Sequence, residues 1–280
     1  MKVAVMTDST AYIPKEVREK HGIHMVPLSV VFEGESFREE MDISTEEFYQ
    51  KMKESKTLPK TSQPSIGDVT KKLEELAADY DAVISIHLSS GISGTYQAVV
   101  SAREMAENIE VYPFDSEISC MPQGFYALEA VELAKEGKTA EEIVKRLDEM
   151  KNSLRAYFMV DDLTNLQRGG RLSSAQALLG GMLQIKPVLH FVDKVIVPFE
   201  KIRTRKKAIN RIMGLLEEEA AKGKAMRVVF IHGNDEHSAV ELEKEFLKKY
   251  PDTETSISYF GPVIGTHVGQ GALGIGWYVK

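Results

Sequence analysis

Residues 82–97 read Ala82-Val83-Ile84-Ser85-Ile86-His87-Leu88-Ser89-Ser90-Gly91-Ile92-Ser93-Gly94-Thr95-Tyr96-Gln97. Four of the first six are apolar, with Ala82-Val83-Ile84 unbroken, and the run predicts a buried strand. Serines and glycines follow, and residues 93–107 then carry a helical pattern. Strand, glycine-bearing loop and helix in this order are the repeating unit of a parallel sheet.

The same unit recurs on either side. Residues 3–6 form a short apolar strand ending in Thr7-Asp8-Ser9-Thr10, after which Pro14 opens a helix over 15–21. Residues 24–31 are β-rich and Glu33-Gly34 is a turn signal. Helices are predicted over 45–54, capped by Ser44 or Thr45, and over 65–78. A strand over 109–114 is followed by Asp115-Ser116 and a helix over 124–135. Thr139-Ala140-Glu141-Glu142 is a capping box for one more helix. This predicts a three-layer α/β/α domain with a parallel sheet, over residues 1–154. Beyond it the periodicity changes: strands are expected at 157–160, 188–192, 195–198, 226–232 and 256–260, helices at 206–222 and 238–249. Asp193-Lys194 is a tight hairpin turn. The second domain, 155–280, is expected to be two-layer α/β with a mixed sheet.

Two domains also suit 280 residues. A formal net charge of -7 argues against nucleic acid or an anionic membrane as the main partner. The single cysteine, Cys120, cannot form an internal disulfide and suits a reducing cytoplasm. No Cys/His metal framework, signal segment or uncharged run of membrane-spanning length is present, so no metal site and no transmembrane segment are expected.

Ligands of open α/β sheets sit beyond the carboxyl ends of the strands, against helix N-termini. Residues 89–96 occupy such a place. Gly91 and Gly94 let backbone approach a ligand, and the amides around Gly94 and Thr95 favour an anionic headgroup; Ser93 serves either as ligand contact or as helix cap. Thr61-Ser62-Gln63-Pro64-Ser65 offers two hydroxyls, or a capped turn. Asp8 either binds a metal or, more commonly for this setting, caps its loop and orients a neighbouring serine. His267, within Gly265-Thr266-His267-Val268-Gly269, reads as a residue of tightly approached backbone off any exposed helix, able to act as donor, base or nucleophile. Arg168-Gly169-Gly170-Arg171 suits a carboxylate or phosphate, or a solvated loop. Lys201, Arg203, Arg205, Lys206, Lys207 and Arg211 form a basic run in an acidic chain, either a solvated face or a docking site for an acidic partner.

In order and spacing these motifs resemble the DegV family, fatty-acid-binding carriers for bacterial fatty acid kinase. The likeness runs nearly end to end: Asp8-Ser9-Thr10-Ala11, Thr61 to Ser65, Ser90 to Gln97, Asp115-Ser116, Arg168 to Arg171, and Gly265 through Gly274. The resemblance implies a two-domain fold with a lipid between the domains. It implies a carboxylate held by Thr61 or Ser62, Ser93, the Gly94 amide and His267, with Arg171 and Thr266 near the headgroup. Phe158, Leu178, Leu179, Met182, Leu183, Ile185 and Leu189 are candidates for the tail, each equally suited to ordinary core. The region of Arg203, Arg205 and Lys206 corresponds to the face thought to meet the kinase catalytic subunit, which would supply ATP and form an acyl phosphate. No cofactor is expected besides the bound fatty acid. Two departures stand out: Cys120-Met121-Pro122 where the family commonly has Ser-Met-Gly, expected to alter a loop beside the tail, and Gln270 in place of a common proline.

The alternatives are a stand-alone Ser93/His267 hydrolase and a protein anchoring its substrate on His267, as in the dihydroxyacetone kinase fold. Against the first, Gly91-Ile92-Ser93-Gly94 is no nucleophile elbow and no acidic third member presents itself. Against independent kinase activity, no phosphate-cradling Gly-x-x-x-x-Gly-Lys-[Ser/Thr] loop occurs.

Overall fold

The computed structural model describes residues 2–55, 57–172 and 185–280. Four strands, β1 (Val3–Asp8), β2 (Ile23–Val26), β6 (Ala82–His87) and β7 (Glu110–Asp115), form an all-parallel sheet in the order β2-β1-β6-β7. Alternate residues of β1 serve opposite faces. Ala4 and Met6 pack with Val69, Leu73 and Val99 of helices α3 (Ile66–Ala77) and α4 (Thr95–Arg103). Val5 joins Phe125, Ala130, Ile143 and Leu147 of α5 (Met121–Lys135) and α6 (Ala140–Met150). The three expected layers are therefore present. Caps follow the sequence: Ser44 begins α2 (Thr45–Glu54) and Thr139 begins α6, each with a reciprocal capping box, while α1 (Lys15–His21) starts behind Pro14.

A small antiparallel sheet was not foreseen as such. β3 (Ser29–Phe32) turns through Glu33-Gly34 into β4 (Glu35–Arg38), and β5 (Lys60–Ser62) pairs with the other edge of β3. Thr61 and Ser62, read as a possible capped turn, are thus held in a strand, with Thr61 opposite Val30.

All strands of the large sheet come from residue 155 onward: β8 (Arg155–Met159), β9 (Val188–Val192), β10 (Val195–Glu200), β11 (Met226–His232), β12 (Glu254–Tyr259) and β13 (Leu273–Val279), in the order β10-β9-β8-β13-β11-β12. Only β11 and β12 run parallel, so the sheet is mixed. Met159, Val188, Phe230 and Trp277 face helices α8 (Arg205–Ala220) and α9 (Glu236–Lys249). Phe158, Leu189, Val229 and Tyr278 face the other way and share one core with the first domain. β13, central in this sheet, escaped the sequence reading. Its Gly274 and Gly276 break the apolar run: a Cβ on Gly276 would lie 2.5 Å from Pro122 Cγ, and one on Gly274 would be tight against Phe260 Cζ at 3.1 Å. Among the described residues no helix is long and apolar enough to cross a membrane.

Candidate functional site

A cavity of about 260 Å³ is lined by β8, β9, β10, β11 and β13 of the mixed sheet, by Thr61 and Ser62 of β5, and by segments that follow β2 and β6. Thr61, Ser62, Gln63, Ser93, Gly94, Arg171 and His267 bring polar groups to its lining, with Thr61 beside His267 and Gln63 beside Gly94. The remainder is mainly apolar, including Leu28, Leu88, Phe158, Phe191, Ile231, Phe260 and Ile264. An amphiphile with a small polar head fits this division.

His267 lies on α10 (Pro262–Val268), a short buried helix, where a loop was expected. Gly261, Pro262 and Gly265 resemble loop residues in sequence, but Pro262 stands in the first turn, where its missing N–H costs nothing. His267 Nε2 is 3.0 Å from Thr61 Oγ1, a contact across 206 residues. Its Nδ1 is buried and has no hydrogen-bond partner among the described residues. Burial, and then the charge of Arg171, push the imidazole down to about 4. It is therefore neutral near pH 7, with one N–H to donate and one nitrogen to accept. Gly169 makes room for the ring, since a Cβ there would stand 2.3 Å from Nδ1.

Ser93 does not cap α4. The helix begins two residues later, with Gly94 as N-cap and no side-chain capping bond. Ser93 Oγ instead lies 2.9 Å from Thr95 Oγ1 and accepts from the Thr95 amide at 3.3 Å. Gly94 is pressed by the Gln63 side chain: a Cβ would meet its Oε1 at 2.1 Å. Gly91 passes equally close to the β9–β10 turn, whose Lys194 carbonyl accepts from Ser89 Oγ at 2.6 Å. Arg171 follows the short helix α7 (Thr164–Arg168), and its Nε donates to the Ile92 carbonyl at 3.1 Å. The guanidinium is thus fixed beside the Ser93 loop.

The other expected positions divide. Ser62 lines the cavity, its hydroxyl donating to the Gln63 carbonyl at 3.2 Å. Thr266 does not line it: the side chain is buried and donates to the Pro262 carbonyl at 2.9 Å, within α10. Phe158 lines the cavity. Leu189 is buried core outside the lining, and half-buried Ile185 is outside it too. Leu178, Leu179, Met182 and Leu183 lie outside the described residues. Leu189 and Phe191 share one face of β9, and of the two only Phe191 reaches the lining. Pro122 also lines the cavity, but as part of the first turn of α5 rather than of a loop; Cys120, at φ 62, precedes that helix.

The basic run is no uniform face. Arg203 and Lys206 are exposed, but Arg205 is half-buried, 3.1 Å from Asp161 and 3.0 Å from Asp235, and also donates to the Gly271 carbonyl. Arg211 is paired with Glu200 at 2.8 Å.

Asp8 is structural. It accepts from Thr10 through both amide and hydroxyl, from the Leu88 amide, and lies 3.0 Å from His87 Nδ1, whose Nε2 is 2.6 Å from Ser85 Oγ. This Ser-His-Asp chain has 0% exposure at every member, so no substrate reaches it. Ser9, expected to be oriented by Asp8, instead donates to Glu39 at 2.6 Å. Among the described residues no group of three or more His, Cys, Asp or Glu is arranged to hold a metal. The hydrolase reading loses its dyad as well, because the hydroxyl beside His267 belongs to Thr61 and not to Ser93.

Sequence reasoning missed Phe191, Ile231, Phe260 and Ile264 in the lining, since nothing local distinguishes them from core. It also missed Glu39. That carboxylate stands in the charged run Arg38-Glu39-Glu40, yet it has 0% exposure.

A family model described as "Uncharacterised protein, DegV family" matches residues 2–280. Protein DegV of Bacillus subtilis (strain 168) is 61% identical over 281 residues, with 100% of both chains covered. A crystal structure described as DegV, a fatty acid binding protein from Bacillus subtilis, matches with a TM-score of 0.96 at 61% identity, covering 100% of both chains. A DegV family protein from Thermus thermophilus, described for its fatty acid binding, matches with a TM-score of 0.91 at 32% identity, again covering 100% of both. A Thermotoga maritima protein described as revealing fatty acid binding function gives 0.87 at 36% identity and the same coverage.

Proposed function

The chain belongs to the DegV family, and from that premise we propose that its cavity binds a long-chain fatty acid, carboxylate at the polar side and tail along the apolar wall. The observation that carries this is the meeting of Thr61, Ser93, Gly94, Arg171 and His267 in one cavity whose remaining surface is mainly apolar.

A carboxylate taken out of water needs several hydrogen bonds, or it takes up a proton instead. Thr61, Ser62 and Ser93 supply hydroxyls, Gly94 an amide at a helix N-terminus, and neutral His267 one ring N–H. Arg171 supplies the positive charge. The tail contributes roughly 0.8 kcal/mol per buried methylene, so the apolar wall provides most of the affinity and the polar end sets orientation.

In this reading the protein is a cytoplasmic carrier without a nucleotide site of its own. Its domains join near residue 154, and the lipid lies between them. It presents the carboxylate to the catalytic subunit of a fatty acid kinase, which forms the acyl phosphate. Exposed Arg203 and Lys206 are the docking candidates that remain once Arg205 is assigned to its acidic partners.

The test is native mass spectrometry of the purified protein, followed by titration with oleate or palmitate. Copurifying or added fatty acid is expected to bind one to one, and Ser93→Ala should weaken it. A protein that carries none and takes up none refutes the proposal.

A further inference from the structure

Asp8 and Glu39 are both fully buried carboxylates. Asp8 lies against the His87 ring, whereas no cation pairs with Glu39 among the described residues. Glu39 has three donors from separate parts of the chain: Ser9 Oγ at 2.6 Å, Tyr12 OH at 2.7 Å and the Val263 amide at 2.7 Å. Tyr12 in turn accepts from the Ile264 amide at 3.1 Å.

These contacts solve a local problem of α10. First-turn amides lack intrahelical partners, and this helix has a glycine N-cap with no side chain to serve them. Glu39 and Tyr12 serve them from 224 and 252 residues away in sequence. One turn further along the same helix stands His267, about 6 Å beyond Val263 at the α-helical rise per residue. A shift or rotation of the first turn is therefore carried to the imidazole.

We propose that Glu39 is a positioning residue of the headgroup site: by gripping the first turn of α10, it places His267 against Thr61 and the ligand carboxylate. This rests on the fatty-acid reading of the cavity.

Glu39 also makes the placement sensitive to pH. Burial pushes its carboxyl up to about 8. The groups around it do not titrate in that range: burial holds Tyr12, Tyr49 and Tyr259 above their ordinary values, and Cys120 is pushed up to about 12. Neighbouring Glu40 is pushed up by its own burial but accepts from Tyr259 and pairs with Arg18 at 2.7 Å. Ionisation of Glu39 thus leaves a buried charge without a counter-ion and strengthens the hydrogen bonds it accepts from Ser9, Tyr12 and Val263, so the hold on α10 changes as pH rises through the Glu39 value.

The experiment compares wild type, Glu39→Gln and Tyr12→Phe. Affinity for cis-parinaric acid is measured from about pH 6.5 to about 9.5, and the His267 imidazole resonances of the ligand-free proteins are followed over the same range. Wild type is expected to change affinity across about pH 8, a change that Glu39→Gln does not show. Tyr12→Phe should bind about tenfold more weakly, the effect of one lost hydrogen bond transmitted to the site, with displaced His267 resonances. A change across about pH 8 that persists in Glu39→Gln, or His267 resonances unmoved in both variants, overturns the proposal. If Tyr12→Phe does not fold, the Glu39→Gln profile decides. If wild type binds no fatty acid, the ligand assignment fails. The ligand-free resonances then decide on Glu39, by titrating near pH 8 in wild type and not in Glu39→Gln.

Discussion

Substituting Gly169 by alanine should weaken fatty-acid binding by displacing His267 rather than by straining the backbone. Gly169 has φ −72 and ψ −13, ordinary helical values that alanine adopts freely. The backbone change alone is worth about 0.4–1 kcal/mol in favour of the variant, because its unfolded chain is less free. The added methyl, however, would stand 2.3 Å from His267 Nδ1 and 2.8 Å from Cε1. Non-bonded heavy atoms settle near roughly 3.5 Å, so the ring must retreat by about 1 Å. The 3.0 Å geometry between Nε2 and Thr61 Oγ1 is then disturbed. If His267 donates to the bound carboxylate, the charged hydrogen bond lost is worth about 1.5–3 kcal/mol, or about a 10- to 150-fold rise in Kd. Calorimetric titration with oleate and a thermal melt measure the two effects separately. Gly170→Ala is the matching control: with φ 70 and nothing within 4 Å, it should cost about 1 kcal/mol of stability and leave affinity unchanged. A folded Gly169→Ala protein that binds oleate within about threefold of wild type would refute the role given to His267.

His267 also predicts an acid sensitivity. Its folded value of about 4 lies below the ordinary 6.5, so the unfolded chain takes up the proton first and stability is lost as pH falls from about 6.5 to about 4. The loss amounts to roughly 3 kcal/mol; urea titrations at about pH 7 and pH 4.5 should show a smaller loss for His267→Gln than for wild type. At the basic face, Arg203→Glu should impair acyl-phosphate formation with the kinase and leave melting and lipid affinity intact. Arg205→Glu should instead lower stability by about 1–2 kcal/mol, because it faces Asp161 and Asp235 with a third carboxylate.

The parts of the fold legible in sequence are those decided by neighbours along the chain. Ala82–His87 shows as a strand because both its faces are buried, and Thr139 shows as a helix start because its capping partner is three residues away. β13 did not show because its glycines answer to Pro122 and Phe260, residues far off in sequence. α10 was concealed in the same way, since its first turn is capped by Tyr12 and Glu39. The candidate site followed a similar division. Serine and glycine clusters after strands pointed to an anion, but the Thr61–His267 contact spans 206 residues, and only the family likeness linked the two. The family likeness placed Thr266 near the headgroup, and helix geometry turns it back onto Pro262 instead. Charge along the chain likewise did not separate Arg203 from Arg205, because the distinction lies in Asp161 and Asp235.

The position of β13 has a consequence for how the molecule is made. It lies between β8 and β11, and both of those strands leave the ribosome before it. Until residues 273–279 arrive, β8 with its hairpin and β11 with β12 are two half-sheets, each with a bare inner edge. Pairing across such sequence distances is slow, and unpaired edges invite association with other chains. During synthesis the N-terminal parallel sheet can close well ahead of its neighbour. The late strand then acts as the keystone: one insertion joins the half-sheets and completes the wall of the cavity beside Phe158.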